Sequence, residues 1–377
     1  MRWDIFCRVV DNFGDAGVTW RLARQLQGEW GAEVRLFIDH LPTLAQLDHH
    51  INPALPEQTV LGVTVRHWGE SLQVDRIAEV VLETFACDTP EPYLQAMAQQ
   101  PSPPVWINLE YLSAENWVGR CHLLPSPHSS LSLIRHFFFP GFGLKTGGLL
   151  RESKLLAQRD AFNASVEAQA QFWAELGLSP PDAQTRVVTL FGYDTVQLHD
   201  LIEAWVHGSR PIRCMIPEGT PLALRAAQHL ERRDGQRVAA QGALNLVWVP
   251  FRDQVDYDPL LWASHFNFVR GEDSFVRAQW AARPMAWHVY PQLGQAHRIK
   301  LKAFLDCYLQ GLEAGTAQRY RDLFDAWNGE EGAIGVAWDA LAADWETLEA
   351  HARTWSRQQA AFPDLAHNLA EFVDKLL

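Results

Sequence analysis

The chain has 377 residues, 47% of them hydrophobic, with 32 basic against 45 acidic side chains and a net charge of -13. That length suffices for two domains with separate cores, and the acidic balance argues against a basic nucleic-acid surface as the main function. Five cysteines (Cys7, Cys87, Cys121, Cys214, Cys307), odd in number and without a C-x-x-C, point to reduced thiols of a cytoplasmic protein.

The N-terminus has no signal-peptide layout. No uncharged apolar run reaches the roughly 18 to 20 residues that a bilayer span requires, so no membrane partner is expected. Sixteen Trp and nineteen Phe predict aromatic-rich cores.

Trp3 to Val10 reads as a buried strand, broken by Asp11-Asn12-Phe13-Gly14-Asp15-Ala16-Gly17 and followed by a helical pattern from Val18 to Trp30. Glu33 to Asp39 is the next strand, completing a βαβ pattern. The G-x-G-x-x-G fingerprint is absent, which excludes the usual dinucleotide loop. Asp11 and Asp15 read in two ways. They can end the strand and cap the helix, or form a carboxylate pair that accepts a guanidinium fork and takes a proton.

Ile77 to Phe85 and Val105 to Tyr111 are further strands, with a helix from about Pro92 to Gln99 between them. Leu123 to Leu150, rich in Pro and Gly, reads as irregular, and Phe137-Phe138-Phe139-Pro140 as packing. Gly141-Phe142-Gly143-Leu144-Lys145-Thr146 is no P-loop, because Leu144 precedes the lysine.

A helix-like stretch from Arg159 to Leu176 leads to Pro180-Pro181-Asp182, the expected domain boundary. Five strands then alternate with helices: Arg186–Tyr193, Ile212–Ile216, Leu244–Phe251, His265–Val269 and Pro284–Tyr290. That pattern predicts a parallel doubly wound sheet. From about Ala296 onward the chain reads as helical. Asp256-Tyr257-Asp258 is a D-x-D, but acids two apart are common by chance, and no metal site is expected from it.

The most informative stretch is Val269-Arg270-Gly271-Glu272-Asp273-Ser274-Phe275, a strand end, a polar turn and a helix start. Such a turn suits an anionic ligand, while the plainer reading makes Asp273 and Ser274 helix caps. Phe191, Tyr193, Phe251 and Tyr257 flank Gln254 at strand ends, where a pyrimidine can stack and pair. The expected fold is α/β, GT-B type: two Rossmann-like domains facing each other across a cleft, with a helical C-terminal region. The expected bounds are 1–180, joined by a C-terminal helix at about 360–377, and 183–359.

Five separated motifs occur in order: Asp11-Asn12-Phe13-Gly14-Asp15, Glu83-Thr84-Phe85, Asn108-Leu109-Glu110-Tyr111-Leu112-Ser113, Phe138-Phe139-Pro140-Gly141-Phe142 and Arg270-Gly271-Glu272-Asp273-Ser274. Together they make the chain resemble the bacterial elongation factor P arginine rhamnosyltransferases, from the first strand to about Leu305. The resemblance implies an inverting, metal-independent transfer of L-rhamnose from dTDP-β-L-rhamnose, without a cofactor, to one arginine of elongation factor P. That modification activates the factor to rescue ribosomes stalled at polyproline.

Carried onto matching positions, the resemblance makes Asp15 the general base, with Asp11 helping to hold the guanidinium and Glu272 as a second essential carboxylate. Phe191, Phe251, Gln254 and Tyr257 would frame the thymine, with Tyr193 at the ribose. Arg270, Asp273, Ser274 and Tyr290 would hold the ribose-diphosphate part. Tyr257 stands where the family carries Phe, a change that keeps the ring. Glu272 and Asp273 would repel a phosphate, so they are expected to face hydroxyls or a neighbouring cation.

Two other classes fit the residues alone. A GT-B-like sugar-nucleotide 2-epimerase would turn over the donor without a protein acceptor, and a silent nucleotide-binding protein would turn over nothing. Asp15→Asn separates them, since only the transferase reading predicts loss of transfer with donor binding retained.

Overall fold

The computed structural model describes residues 1–69, 72–292, 295–329 and 332–377. Its contacts divide the chain into two units, Met1–Ser153 with Gln359–Leu377, and Lys154–Gln358.

The first unit begins β1 (Arg2–Cys7), α1 (Phe13–Trp30), β2 (Glu33–Ile38), α2 (Leu41–Leu47), β3 (Glu57–Val60), β4 (Val63–His67), β5 (Val80–Thr84) and α3 (Glu91–Ala98). It continues with β6 (Val105–Leu109), α4 (Val118–Cys121), β7 (Pro125–Pro127) and β8 (Ile134–Phe138). The eight strands run β3-β4-β2-β1-β5-β6-β8-β7, and the outermost pairings, β3 with β4 and β7 with β8, are antiparallel.

The central strands are apolar on both faces because helices cover both. Phe6, Phe37, Val81 and Trp106 pack with Tyr93 and Met97 of α3, and α1 buries Trp20, Leu22 and Leu26. Each such side chain contributes roughly 1.5 to 3 kcal/mol by leaving water. A charged pair also lies within this apolar region. The parallel register sets Asp4 beside Arg35, whose Nε donates to Asp4 Oδ1 at 2.7 Å and whose Nη1 donates to Asp75 at 2.8 Å.

Within the second unit, α5 (Leu155–Ala164) and α6 (Val166–Glu175) precede β9 (Arg186–Leu190), α7 (Leu198–His207), β10 (Ile212–Pro217), α8 (Pro221–His229), β11 (Val238–Gln241) and β12 (Leu244–Val249). Then follow α9 (Gln254–Trp262), β13 (Phe266–Arg270), α10 (Asp273–Ala281), β14 (Met285–His288), α11 (Ala296–Tyr308), α12 (Ala314–Trp327), α13 (Ile334–Ala342) and α14 (Trp345–Ala360). The final helix, α15 (Leu365–Asp374), lies in the first unit. The second sheet runs β11-β12-β10-β9-β13-β14.

Several expectations are corrected. The helix-like stretch at 159–176 resolves into two helices, split at Ser165, whose Oγ accepts the Ala168 N–H at 3.0 Å and so starts α6. Phe172, Trp173 and Leu176 pack with Val187, Met215, Val247 and Leu260, so 154–182 falls in the second unit and the division lies at 153/154. The segment at 123–150 is not wholly irregular, since it holds β7 and β8. The second sheet is not purely parallel, because β11 runs antiparallel to β12. The strand expected over Trp3–Val10 ends at Cys7.

Candidate active-site residues

In the first sheet the chain proceeds outward from β1 through β2 to β4, then resumes on the other side of β1 with β5. Loops beyond the carboxyl ends of β1 and β5 therefore diverge and leave a crevice, where open α/β sheets bind ligands. Asp11 and Asp15 sit at that point. The entry to α1 is made by Asn12, whose φ of 37° and ψ of -104° are uncommon for a non-glycine residue. Its Oδ1 accepts from Thr43 Oγ1 at 2.9 Å, and Thr43 is in turn bonded to His40 at 2.8 Å.

Asp15 lies in the first turn of α1 and is buried. Its Oδ2 accepts the backbone N–H groups of Val10 and Asp11, each at 2.8 Å. Burial pushes its pKa above the ordinary carboxylate value, against the lowering effect of those two N–H groups and of the Tyr111 hydroxyl. This environment yields a carboxylate that takes a proton more readily than an exposed one. Tyr111 was not among the expected site residues. It is stacked on Phe85 at 4.4 Å, so two motifs far apart in sequence converge on Asp15.

Asp11 is buried beside Gly14, whose N–H donates to the Asp11 carbonyl at 2.7 Å. Glu83 accepts from Arg135 at 3.1 Å and from Thr89 at 3.2 Å. It borders a cavity of about 480 Å³ that Trp106, His128 and Arg135 also line.

The second sheet repeats the logic. From β9 the chain runs outward through β10 to β12, then returns to the other side of β9 with β13. Phe191 and Tyr193 follow β9, and Arg270 ends β13. The Arg270 guanidinium lies over both rings, 4.7 Å from each centroid. Phe191 meets Tyr257 edge-on at 6.2 Å, and Tyr193 meets Tyr290 at 5.5 Å. The structure thus brings Phe191, Tyr193, Tyr257, Arg270 and Tyr290 into one cluster. Phe251 lies just past β12, half-buried.

The turn after Arg270 is not a capping arrangement. Gly271 has a φ of 58°, and Glu272, buried, occupies the N-cap position without a side-chain capping bond. Ser274 Oγ donates to the Arg270 carbonyl at 2.5 Å and accepts the Arg270 N–H at 3.0 Å, locking the strand end to α10. Asp273 Oδ2 accepts from Gln254 Nε2 at 2.9 Å and from Arg277 Nε at 3.1 Å, so it faces a neighbouring cation. Arg277 also donates to Asp258 at 2.7 Å. The D-x-D is thereby divided, with Asp258 committed to Arg277 and Asp256 exposed.

Arg277 and His288 are further residues that the sequence reading missed. His288 Nδ1 accepts the Tyr193 N–H at 3.1 Å, which places the ring proton on Nε2, 3.2 Å from Thr195 Oγ1. Burial, with Arg270 nearby, pushes its pKa down to about 3, so it stays neutral near pH 7. The i,i+4 spacing of Asp273 and Arg277 was a visible signal. Nothing local marks His288. The Tyr257 hydroxyl is buried without a hydrogen-bond partner, so a phenylalanine would serve at that position.

Residues 3–374 match the model of the family described as Elongation-Factor P (EF-P) rhamnosyltransferase EarP. The chain is 46% identical over 377 residues to the protein-arginine rhamnosyltransferase of Pseudomonas putida, covering 98% of each. It is 36% identical, with a TM-score of 0.70, to a solved structure described as the structural basis for EarP-mediated arginine glycosylation of translation elongation factor EF-P, covering 100% of this chain and 99% of that one. A UDP-GlcNAc 2-epimerase from Neisseria meningitidis matches at a TM-score of 0.52 and 10% identity over 100% of this chain and 99% of its own, a likeness of fold alone.

Proposed function

The chain belongs to the elongation factor P rhamnosyltransferase family and has the GT-B fold, and from that premise we propose that it moves L-rhamnose from dTDP-β-L-rhamnose to an arginine side chain of elongation factor P. The observation that carries this reading is Asp15, a buried carboxylate of raised basicity held by two backbone N–H groups at the β1/β5 switch point. A guanidinium has a pKa above about 12 and is a poor nucleophile until a positioned acid accepts its proton.

In the proposed step one guanidinium nitrogen attacks the anomeric carbon and the bond from that carbon to the diphosphate oxygen breaks. The nitrogen's proton passes to Asp15. Attack opposite the leaving group inverts the anomeric centre. Asp11 holds the guanidinium beside Asp15, and Glu272 acts on the sugar.

The second unit supplies the donor half. Phe191, Phe251, Gln254 and Tyr257 frame the base, and Tyr193 the ribose. Arg270, Asp273, Ser274 and Tyr290 hold the ribose-diphosphate part. Charge developing on the leaving diphosphate is met by Arg270 and the positive end of the α10 dipole, a route that calls for no metal ion. Modification of the factor would activate it for rescue of polyproline-stalled ribosomes.

Intact-mass spectrometry of elongation factor P after incubation with this protein and dTDP-L-rhamnose tests the proposal. The expected result is a gain of one deoxyhexose, mapped by fragmentation to an arginine. An unchanged mass, with the donor intact and bound, would refute elongation factor P as the acceptor. Donor consumed without any change in the acceptor would favour the epimerase.

A further inference from the structure

Outside the site described above, α7 and α8 bring together a second group of chemically capable side chains. His199 and Glu203 are one helical turn apart on α7, and His229 lies in the last turn of α8. The two Nδ1 atoms stand 3.0 Å apart, and His229 Nε2 lies 2.8 Å from Glu203 Oε1. His207, a further turn along α7, meets the other Glu203 oxygen at 3.3 Å. One ligand atom from each of His199, Glu203 and His229 lies within 4.8 Å of the others.

The hydrogen-bond roles follow from the chemistry of the groups. An ionised carboxylate only accepts, so His229 donates from Nε2 and its Nδ1 carries a bare lone pair. That lone pair points at His199 Nδ1. Without an ion, His199 Nδ1–H donates to it at 3.0 Å; when an ion takes that proton's place and His199 carries its proton on Nε2 instead, two imidazole lone pairs converge on one point. Around a tetrahedral ion with Zn–N of about 2.0 to 2.1 Å, adjacent nitrogens are separated by roughly 3.3 Å, close to the observed spacing. A carboxylate that accepts the far N–H of a ligating histidine is the arrangement that fixes its tautomer and raises its basicity.

We infer that His199 and His229 bind a borderline divalent cation such as Zn²⁺ through their Nδ1 atoms, with Glu203 orienting His229 and solvent completing the coordination. Imidazole nitrogens select this class of ion over hard, oxygen-preferring Mg²⁺. His199 is exposed and Glu203 and His229 are half-buried, so the ion can enter from solvent. A bound ion would tie α7 to α8. The other cluster of this kind among the described residues, Asp48-His49-His50, is weaker. Its carboxylate is already engaged by the Trp20 indole N–H at 3.1 Å.

The test is calorimetric titration of the full-length chain, free of any histidine tag and stripped with EDTA, with ZnCl₂. Thermal melts with and without the metal accompany it. Wild type should take up one equivalent and melt at a higher temperature with Zn²⁺ present, while MgCl₂ does neither. His199→Ala and His229→Ala should each abolish binding, and Glu203→Gln should weaken it about tenfold. Circular dichroism of each variant confirms its fold. Absence of binding in the wild type, binding undiminished in both alanine variants, or equal uptake of Mg²⁺ would each overturn the assignment.

Discussion

The Asp11 carboxylate rests directly on the backbone of Gly14: a Cβ added at Gly14 would stand 2.5 Å from Asp11 Oδ2. No real contact is that short, so the glycine is what lets the carboxylate occupy this position at the start of α1. Gly14→Ala should therefore displace Asp11 while leaving the hydrophobic face of α1 untouched. We expect a melting temperature close to wild type and a fall in kcat/KM of roughly tenfold to a hundredfold, the scale on which a displacement of about 1 Å degrades a reaction geometry. Rhamnosyl transfer rates at varied acceptor concentration check it, and an alanine variant of full activity would refute a role for Asp11's position.

Asp15 links activity and stability in opposite senses. Its folded pKa is raised, chiefly by burial, so the folded state holds the proton at a pH where the unfolded chain has lost it. Stability then falls as pH rises through that window, and at neutral pH the ionised Asp15 is a cost to the fold. Asp15→Asn keeps an oxygen for the Val10 and Asp11 N–H groups and removes the charge. The variant should melt at or above the wild-type temperature at pH 7, bind the donor normally and lose about 10² to 10⁴ in kcat. In wild type, kcat/KM should decline on the acid side with a midpoint above the ordinary carboxylate pKa. Urea melts and a pH-rate profile measure both arms.

The alternation of strands and helices was legible because buried parallel strands are continuous apolar runs and the turns between them carry Gly, Asp or Asn. What escaped was whatever depends on distant partners. Glu57–Val60 and Val63–His67 are short and half polar, and they become strands only by pairing at the sheet edge. Ile134–Phe138 sits among prolines and glycines that suggest a loop, yet it pairs with Val105–Leu109. Asp4 and Arg35 look misplaced in apolar strands until register sets them side by side. At the candidate site, the turn residues were visible by type and spacing. The supports of Tyr193 and Asp15, namely His288 and Tyr111, lie 95 residues from one and on a separate strand end from the other. No local pattern could pair them.

Arg277 holds two buried carboxylates at once, Asp273 at 3.1 Å and Asp258 at 2.7 Å. Replacing it with Met keeps the stem volume but leaves both acids without their cation. Breaking a buried pair in this way costs about 3 to 5 kcal/mol. Because Asp273 also accepts from Gln254, the same change should weaken dTDP-sugar binding. Arg277→Met is expected to lower the urea midpoint strongly and raise the donor Kd, whereas Asp256→Asn, at an exposed acid, should do neither. Chemical denaturation and donor titration separate the two effects.

His288 is held neutral, its pKa near 3 against an ordinary value of 6.5, by burial first and by the neighbouring Arg270 second. Between those values the unfolded chain binds a proton that the folded one refuses. Its contribution to stability is thus fully present above about pH 6.5 and declines as pH falls toward 3. His265 and His122, each pushed down to about 4 by burial, act in the same direction. His288→Gln preserves an acceptor for the Tyr193 N–H and a donor for Thr195, and it cannot titrate. The dependence of unfolding free energy on pH between 6.5 and 4 should therefore be shallower by one proton in the variant, with donor affinity at pH 7.5 changed only a few-fold. Equal slopes in variant and wild type would mean that His288 takes up its proton in the folded protein as readily as in the unfolded one.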